Sequence, residues 1–133
     1  MITALYAGLC ALLIVKLSLS VIALRRKHKV PLGDGNVPEL QTAIRLQANA
    51  TEYIPIALIL ILLLEMMNIS VWLIHLVGII LIIGRVLHVM GLKNNDLSKR
   101  VLGMKVTLFL IIALAVLNIA YLAMGYFSVW SNV

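Results

Sequence analysis

Residues 2–24 read ITALYAGLCALLIVKLSLSVIAL, an apolar run with one charge, and they stop against Arg25-Arg26-Lys27-His28-Lys29. Roughly 20 such residues, wound as a helix, cross the ~30 Å hydrocarbon core of a bilayer. The next stretch holds Pro31, Gly33, Asp34 and Gly35, which are turn residues. A second helical pattern, 37–68, follows, with Asn36 placed to cap it, Pro38 in its first turn and Glu39 near the positive end of its dipole. At ~1.5 Å per residue that pattern is ~46 Å long, so its first turns are expected to stand outside the hydrocarbon core. Ser70 is placed to cap a third helix over 70–92, and a polar hairpin, Lys93-Asn94-Asn95-Asp96, leads to a fourth over 98–126. Connections this short set consecutive helices antiparallel. The expected fold is an all-α membrane protein, a four-transmembrane-helix up-down bundle forming one domain over 1–133.

Composition agrees. The chain has 133 residues, of which 63% are hydrophobic and 12% charged, and a mean hydropathy of +1.11. A soluble domain of this size leaves too much surface in water to hide that apolar content. A water-soluble enzyme, a disordered chain and a nucleic-acid binder are therefore set aside, and no nucleic-acid partner is expected despite the net charge of +6. Cys10 is the only cysteine, so no disulfide framework exists, and no Cys/His spacing suits a metal. No basic residue precedes the first apolar run and Lys16 interrupts it, which suits an uncleaved helix better than a signal peptide.

The basic residues set an orientation. Arg25, Arg26, Lys27, Lys29, Lys93, Lys99, Arg100 and Lys105 all flank the first and third connections, and the opposite side holds none. The positive-inside rule then expects both connections in the cytoplasm and both termini outside, with Trp72, Tyr126 and Trp130 in the outer aromatic belt. The plain pattern suits a bacterial inner membrane.

Polar groups inside a span cost roughly 2.5–3.5 kcal/mol each when charged, so each one needs a partner or a role. Gln41, Arg45, Asn49 and Glu52 recur in steps of four, four and three and share one face of the second helix, with Gln47 and Tyr53 flanking that stripe. Arg85 and His88 share a face of the third. Arg85 and Glu52 lie at comparable depth and are placed to pair. Read structurally, that pair only holds the bundle together, with Asn49 bonding across helices. Arg25, Arg26, Arg45, Lys99 and Arg100 crowd the same level, however, and too few acids balance them, so an anionic ligand is the economical explanation. Lys16 needs an acid of the bundle. Glu65 is expected to reach water, and His75 to be a hydrogen-bonded interior histidine. Pro55 frees the Thr51 carbonyl, and Gly78, Gly84 and Gly91 allow close helix packing.

Arg45-Leu46-Gln47-Ala48-Asn49-Ala50-Thr51-Glu52-Tyr53-Ile54-Pro55 carries an R-x-x-x-N-x-x-E-x-x-P pattern. On the second of four helices it resembles the membrane-associated proteins in eicosanoid and glutathione metabolism (MAPEG), which include the microsomal glutathione transferases. The run Ser18 to Val30 is similar to the end of that family's first helix, and Gly84-Arg85-Val86-Leu87-His88 to its third. The resemblance implies a homotrimer embedded in membrane lipids, with glutathione bound between neighbouring subunits at the cytoplasmic end. It implies that Arg45, Asn49, Glu52 and Tyr53 bind from one subunit, while Gln47 and an arginine of the Arg25-Arg26 pair reach in from its neighbour. Arg85 and His88 complete the expected binding set. The family activates the thiol with an arginine at the start of the fourth helix; Arg100 is the closest match here, with Lys99 one residue away. Where family enzymes often carry tyrosines in the third helix, this chain has His88 and Leu92.

The chemistry is consistent with that expectation. Forked arginines suit the two carboxylates of glutathione, and Glu52 suits its ammonium. Lowering a thiol pKa by about two takes roughly 2.7 kcal/mol of preferential thiolate stabilisation, within reach of a desolvated arginine. The expected function is a glutathione transferase-like protein that conjugates or reduces small hydrophobic electrophiles or hydroperoxides with a glutathione thiolate. The alternative is a non-catalytic lipid- or anion-binding scaffold of the same fold. A third reading, a proton-coupled exporter using Glu52, fits the one-sided charge bias poorly.

Overall fold

The computed structural model describes the backbone of residues 1–130 and the side chains of residues 1–125. Four helices run in order: α1 Thr3–His28, α2 Pro38–Met66, α3 Val71–Lys93 and α4 Leu97–Trp130. All four are long and apolar enough to cross a membrane. The side chains of Tyr126 and Trp130, expected in the outer aromatic belt, lie outside the described residues; Trp72 is exposed at the first turn of α3.

Helix ends follow local chemistry. α1 continues through Arg25, Arg26, Lys27 and His28, beyond the end of its apolar run. Basic side chains suit the negative end of a helix dipole, and the helix closes only where Lys29 turns left-handed (φ 54°). Lys27 and His28 then reach Glu39 at the start of α2, at 3.2 and 3.4 Å. α2 starts from Val37 with no side-chain cap. Asn36, expected to cap it, is itself left-handed (φ 56°), and its N–H donates to Asp34 Oδ1 at 3.0 Å. Ser70 occupies the position before α3 but caps it through its carbonyl, which accepts from the N–H groups of Leu73 and Ile74. α2 remains one helix through Pro55.

The start of α4 is capped by Asp96, whose Oδ1 accepts from the Lys99 N–H at 3.1 Å. That bond and the Lys99 side chain hold the Asp96 carboxyl below the ordinary carboxylate range. A carboxyl whose pKa falls on folding stabilises above its unfolded pKa and loses that contribution as pH drops through the folded value. Asp96→Ala is therefore expected to lower the thermal midpoint in detergent at neutral pH. The gap from the parent protein should close in acid, as a pH series of melts would show.

α2 and α3 form the centre of the bundle, flanked by α1 on one side and α4 on the other; among the described residues α1 and α4 do not pack on each other. α2 buries Leu40, Ala43, Leu46, Ala50, Ile54, Ala57, Ile61 and Leu64 at helical spacing. From Leu46 onward these pack against Cys10 and Leu17 of α1, Ile74, Val77 and Leu81 of α3, and Leu110 and Leu114 of α4. Lipid tails are as apolar as leucine, so close fit rather than water exclusion joins such helices. The fit is tightest between α3 and α4. A Cβ on Gly84 would press on Thr107, one on Gly91 would meet the Arg100 backbone, and one on Gly103 would meet the His88 backbone. Gly78 makes room instead for the Tyr6 ring of α1.

Two polar expectations change. Glu65 does not simply face water: its carboxylate accepts from the N–H groups of Ile2 and Thr3 (the latter at 2.9 Å) and so caps α1 from another helix. Lys16 lies exposed on the outer face of α1 and makes no ion pair among the described residues. Its flexible stem can carry the ammonium toward the interface. His75, as expected, is hydrogen-bonded, its Nδ1 2.9 Å from the Tyr6 hydroxyl.

Candidate functional site

α2 turns two opposite faces outward from its axis. Arg45 and Glu52 lie roughly opposite the buried stripe that includes Ala43, Ala50 and Ile54, by the ~100° per residue of an α-helix. Both are exposed. They border a cavity of about 550 Å³ between α2 and α4, with Asn49, His88 and Arg100 also on its wall. A second cavity of about 620 Å³ lies toward the first connection and shares Arg45, Leu92, Leu97 and Arg100 with the first. The two arginines therefore stand at the junction between a polar vestibule, bordered by Asp34, Gln41 and Asn95, and a deeper pocket walled on the α4 side by Val101, Met104 and Leu108.

The side chains of Arg45, Glu52 and Arg100 form no ion pair or side-chain hydrogen bond among the described residues. With Lys105 also on the wall, the pocket carries three cations against one carboxylate. Such charges near a membrane interior call for an anion with a cationic group of its own.

Arg85 has a different role from the one expected. It does not pair with Glu52. Its side chain is 2% exposed, its Nη1 donates to Asn49 Oδ1 at 2.9 Å, and its Nη2 donates to the Thr107 hydroxyl. Glu52 points outward from α2, whereas Asn49, one turn earlier, faces inward and meets Arg85 first. Thr107 relays the tie by donating to the Gly103 carbonyl at 2.9 Å. The Tyr53 ring covers the guanidinium at 5.9 Å, within cation–π range. Asn49 is thus shared between the interior and the pocket: its carbonyl holds Arg85, and its NH₂ faces Met104 Sδ at 3.8 Å.

The remaining candidates stand apart from this cavity within one subunit. Gln47 lies about 200° around α2 from Arg45 by helix geometry. Arg25 turns back on its own chain, with Nη1 3.5 Å from the Val30 carbonyl, and Arg26 is exposed at the end of α1. Thr107 and Met104 were not singled out from the sequence, and Lys105 was read there only as a charge that sets the orientation. Thr107 had one available signal, a hydroxyl at a span position with no polar residue three or four positions away.

A bundle of four spanning helices with a cation-rich pocket between the second and fourth defines a class of small integral membrane proteins, and comparison with known proteins places it. The MAPEG family profile matches residues 3–120, and the chain belongs to that family. It is 42% identical over 122 residues to the inner membrane protein YecN of Escherichia coli strain K12, covering 92% of this chain and 93% of that one. The YecN protein of Escherichia coli O6:H1 strain CFT073 matches to the same extent.

Proposed function

We propose that this chain is a membrane-bound glutathione transferase-like protein that holds a glutathione thiolate at the cytoplasmic interface and presents it to hydrophobic electrophiles. The observation carrying this reading is that Arg45, Glu52 and Arg100, three charged side chains with no ion pair or side-chain hydrogen bond among the described residues, border one pocket to which α4 also turns Val101, Met104 and Leu108. The arginines receive the carboxylates and Glu52 the ammonium. Arg100, at the junction of the two cavities, stabilises the thiolate by its charge. Val101, Met104 and Leu108 offer the path by which an alkyl or aryl halide or a lipid hydroperoxide arrives from the bilayer. Attack then gains from proximity and from the fixed positive field.

In this reading the active unit is a homotrimer in an inner membrane, with both termini outside and both basic connections in the cytoplasm. The neighbour covers the pocket with Gln47 and Arg25 or Arg26, the residues that one subunit leaves away from it. Calorimetry of glutathione binding to detergent-purified protein tests the reading, with saturable binding expected. Turnover with an activated aryl chloride should be lost in Arg100→Ala. Binding without turnover in the parent protein would favour a non-catalytic scaffold instead, and no binding would refute the site.

A further inference from the structure

His88 is the one imidazole on the pocket wall, and the start of α4 takes up one of its two ring nitrogens. Gly103 lets α4 approach the His88 backbone so closely that the ring meets the start of α4, with Nδ1 3.3 Å from the Arg100 carbonyl oxygen. A carbonyl only accepts, so a proton on Nδ1 makes this a hydrogen bond, whereas the other tautomer would set two lone pairs against each other. The proton therefore belongs on Nδ1. Among the described residues Nε2 has no hydrogen-bond partner, and it is not one of the sealed side-chain atoms that lack one, Thr3 Oγ1, Arg85 Nε and Asn118 Oδ1. His88 borders the pocket, so Nε2, unsealed and with its lone pair free, is placed to reach it.

We infer that His88 is the proton acceptor of this site: with Nδ1–H committed to the Arg100 carbonyl, Nε2 takes the proton of the bound thiol. The inference rests on the glutathione reading and adds a step to it. Arg100 then has two parts, its guanidinium facing the sulfur and its carbonyl holding the base in the productive tautomer. The charged groups around the ring are Arg45 and Glu52 from α2, Arg100 and Lys105 from α4, and Arg85 one turn back on α3. Their cationic excess stabilises the thiolate that the transfer leaves behind. The balance is simple. The S–H bond breaks and the proton binds Nε2. The sulfur lone pair then forms the carbon–sulfur bond as chloride leaves an aryl chloride, and the imidazolium returns its proton to water through the vestibule.

His88→Asn isolates the step, because the asparagine NH₂ lies near the Nδ1 position and keeps the bond to the Arg100 carbonyl while nothing replaces Nε2. With detergent-purified protein and saturating glutathione, ultraviolet difference absorbance reads the bound thiolate, and an activated aryl chloride reads turnover. Glutathione affinity should stay within about threefold, whereas turnover should fall by about 100-fold, the lower range for a lost general base. Nitrogen NMR of the parent protein gives a check independent of any variant: Nε2 should be unprotonated in the free protein and protonated with glutathione bound. A thiolate yield in His88→Asn equal to that of the parent, or a free protein with Nε2 already protonated, would overturn the role of His88 and leave the glutathione site standing. A parent protein that binds no glutathione overturns both.

Discussion

Arg45→Ala should abolish most glutathione binding while leaving the protein as stable as before. Arg45 is exposed and makes no ion pair or side-chain hydrogen bond among the described residues, so its removal takes no contact from the bundle. On the ligand side it supplies a forked donor at the junction of both cavities. A hydrogen bond to a charged group contributes ~1.5–3 kcal/mol, and a forked pair sits at the upper end. Every ~1.4 kcal/mol is a factor of ten, so the affinity should fall by about 100-fold. Glu52→Gln keeps an acceptor for the ammonium and loses only the charge, so its effect should be smaller. Calorimetry alongside thermal melts of both variants separates binding from folding. Equal affinity in the parent and Arg45→Ala would remove Arg45 from the site. A large loss of stability would mean instead that Arg45 has a partner across a subunit boundary.

Periodicity made the bundle legible, and it did so because a membrane span has few ways to be satisfied. An apolar run such as 2–24, broken only by Lys16, must be a helix, since lipid offers nothing to unpaired backbone groups. The stripe Gln41, Arg45, Asn49 and Glu52 was equally legible, and the structure gathers Arg45, Asn49 and Glu52 with His88 and Arg100 on one wall. Spacing could not say which member of the stripe turns inward. Asn49 and Glu52 are 60° apart by helix geometry, and that difference gives Arg85 to Asn49 and leaves Glu52 outside. Caps were read less well. Ser70 and Asn36 look like side-chain caps in sequence, but Ser70 acts through its carbonyl and Asn36 is taken up by the turn at Asp34. The buried tie through Thr107 depends on how closely α4 approaches at Gly84 and Gly103, a fact of packing that no single-helix pattern contains.

Arg85 offers the sharper test of how the pocket is held. It is a buried cation with no ion pair among the described residues. Asn49, Thr107 and the Tyr53 ring are its partners there, and its Nε has none among them. Truncation to alanine would leave a void, while the Asn49 carbonyl can turn to the pocket. A large-to-small change in a core costs ~2–5 kcal/mol. Against this stands relief from desolvating a charge, which is why apolar replacements of similar volume are often tolerated where truncation is not. Arg85→Ala is therefore expected to lose about 3–4 kcal/mol in detergent unfolding, near the middle of those opposing terms. Arg85→Met fills most of the void and removes the charge. Thr107 keeps its bond to the Gly103 carbonyl, and Asn49 can turn its carbonyl to the pocket. That variant should lie within about 1.5 kcal/mol of the parent, as volume-conserving core changes generally do. Its glutathione affinity should drop by less than tenfold, because Arg85 reaches the ligand only through Asn49. If methionine proved as damaging as alanine, the guanidinium charge itself would be required, and Arg85 would belong to the anion's own shell rather than to the frame behind it.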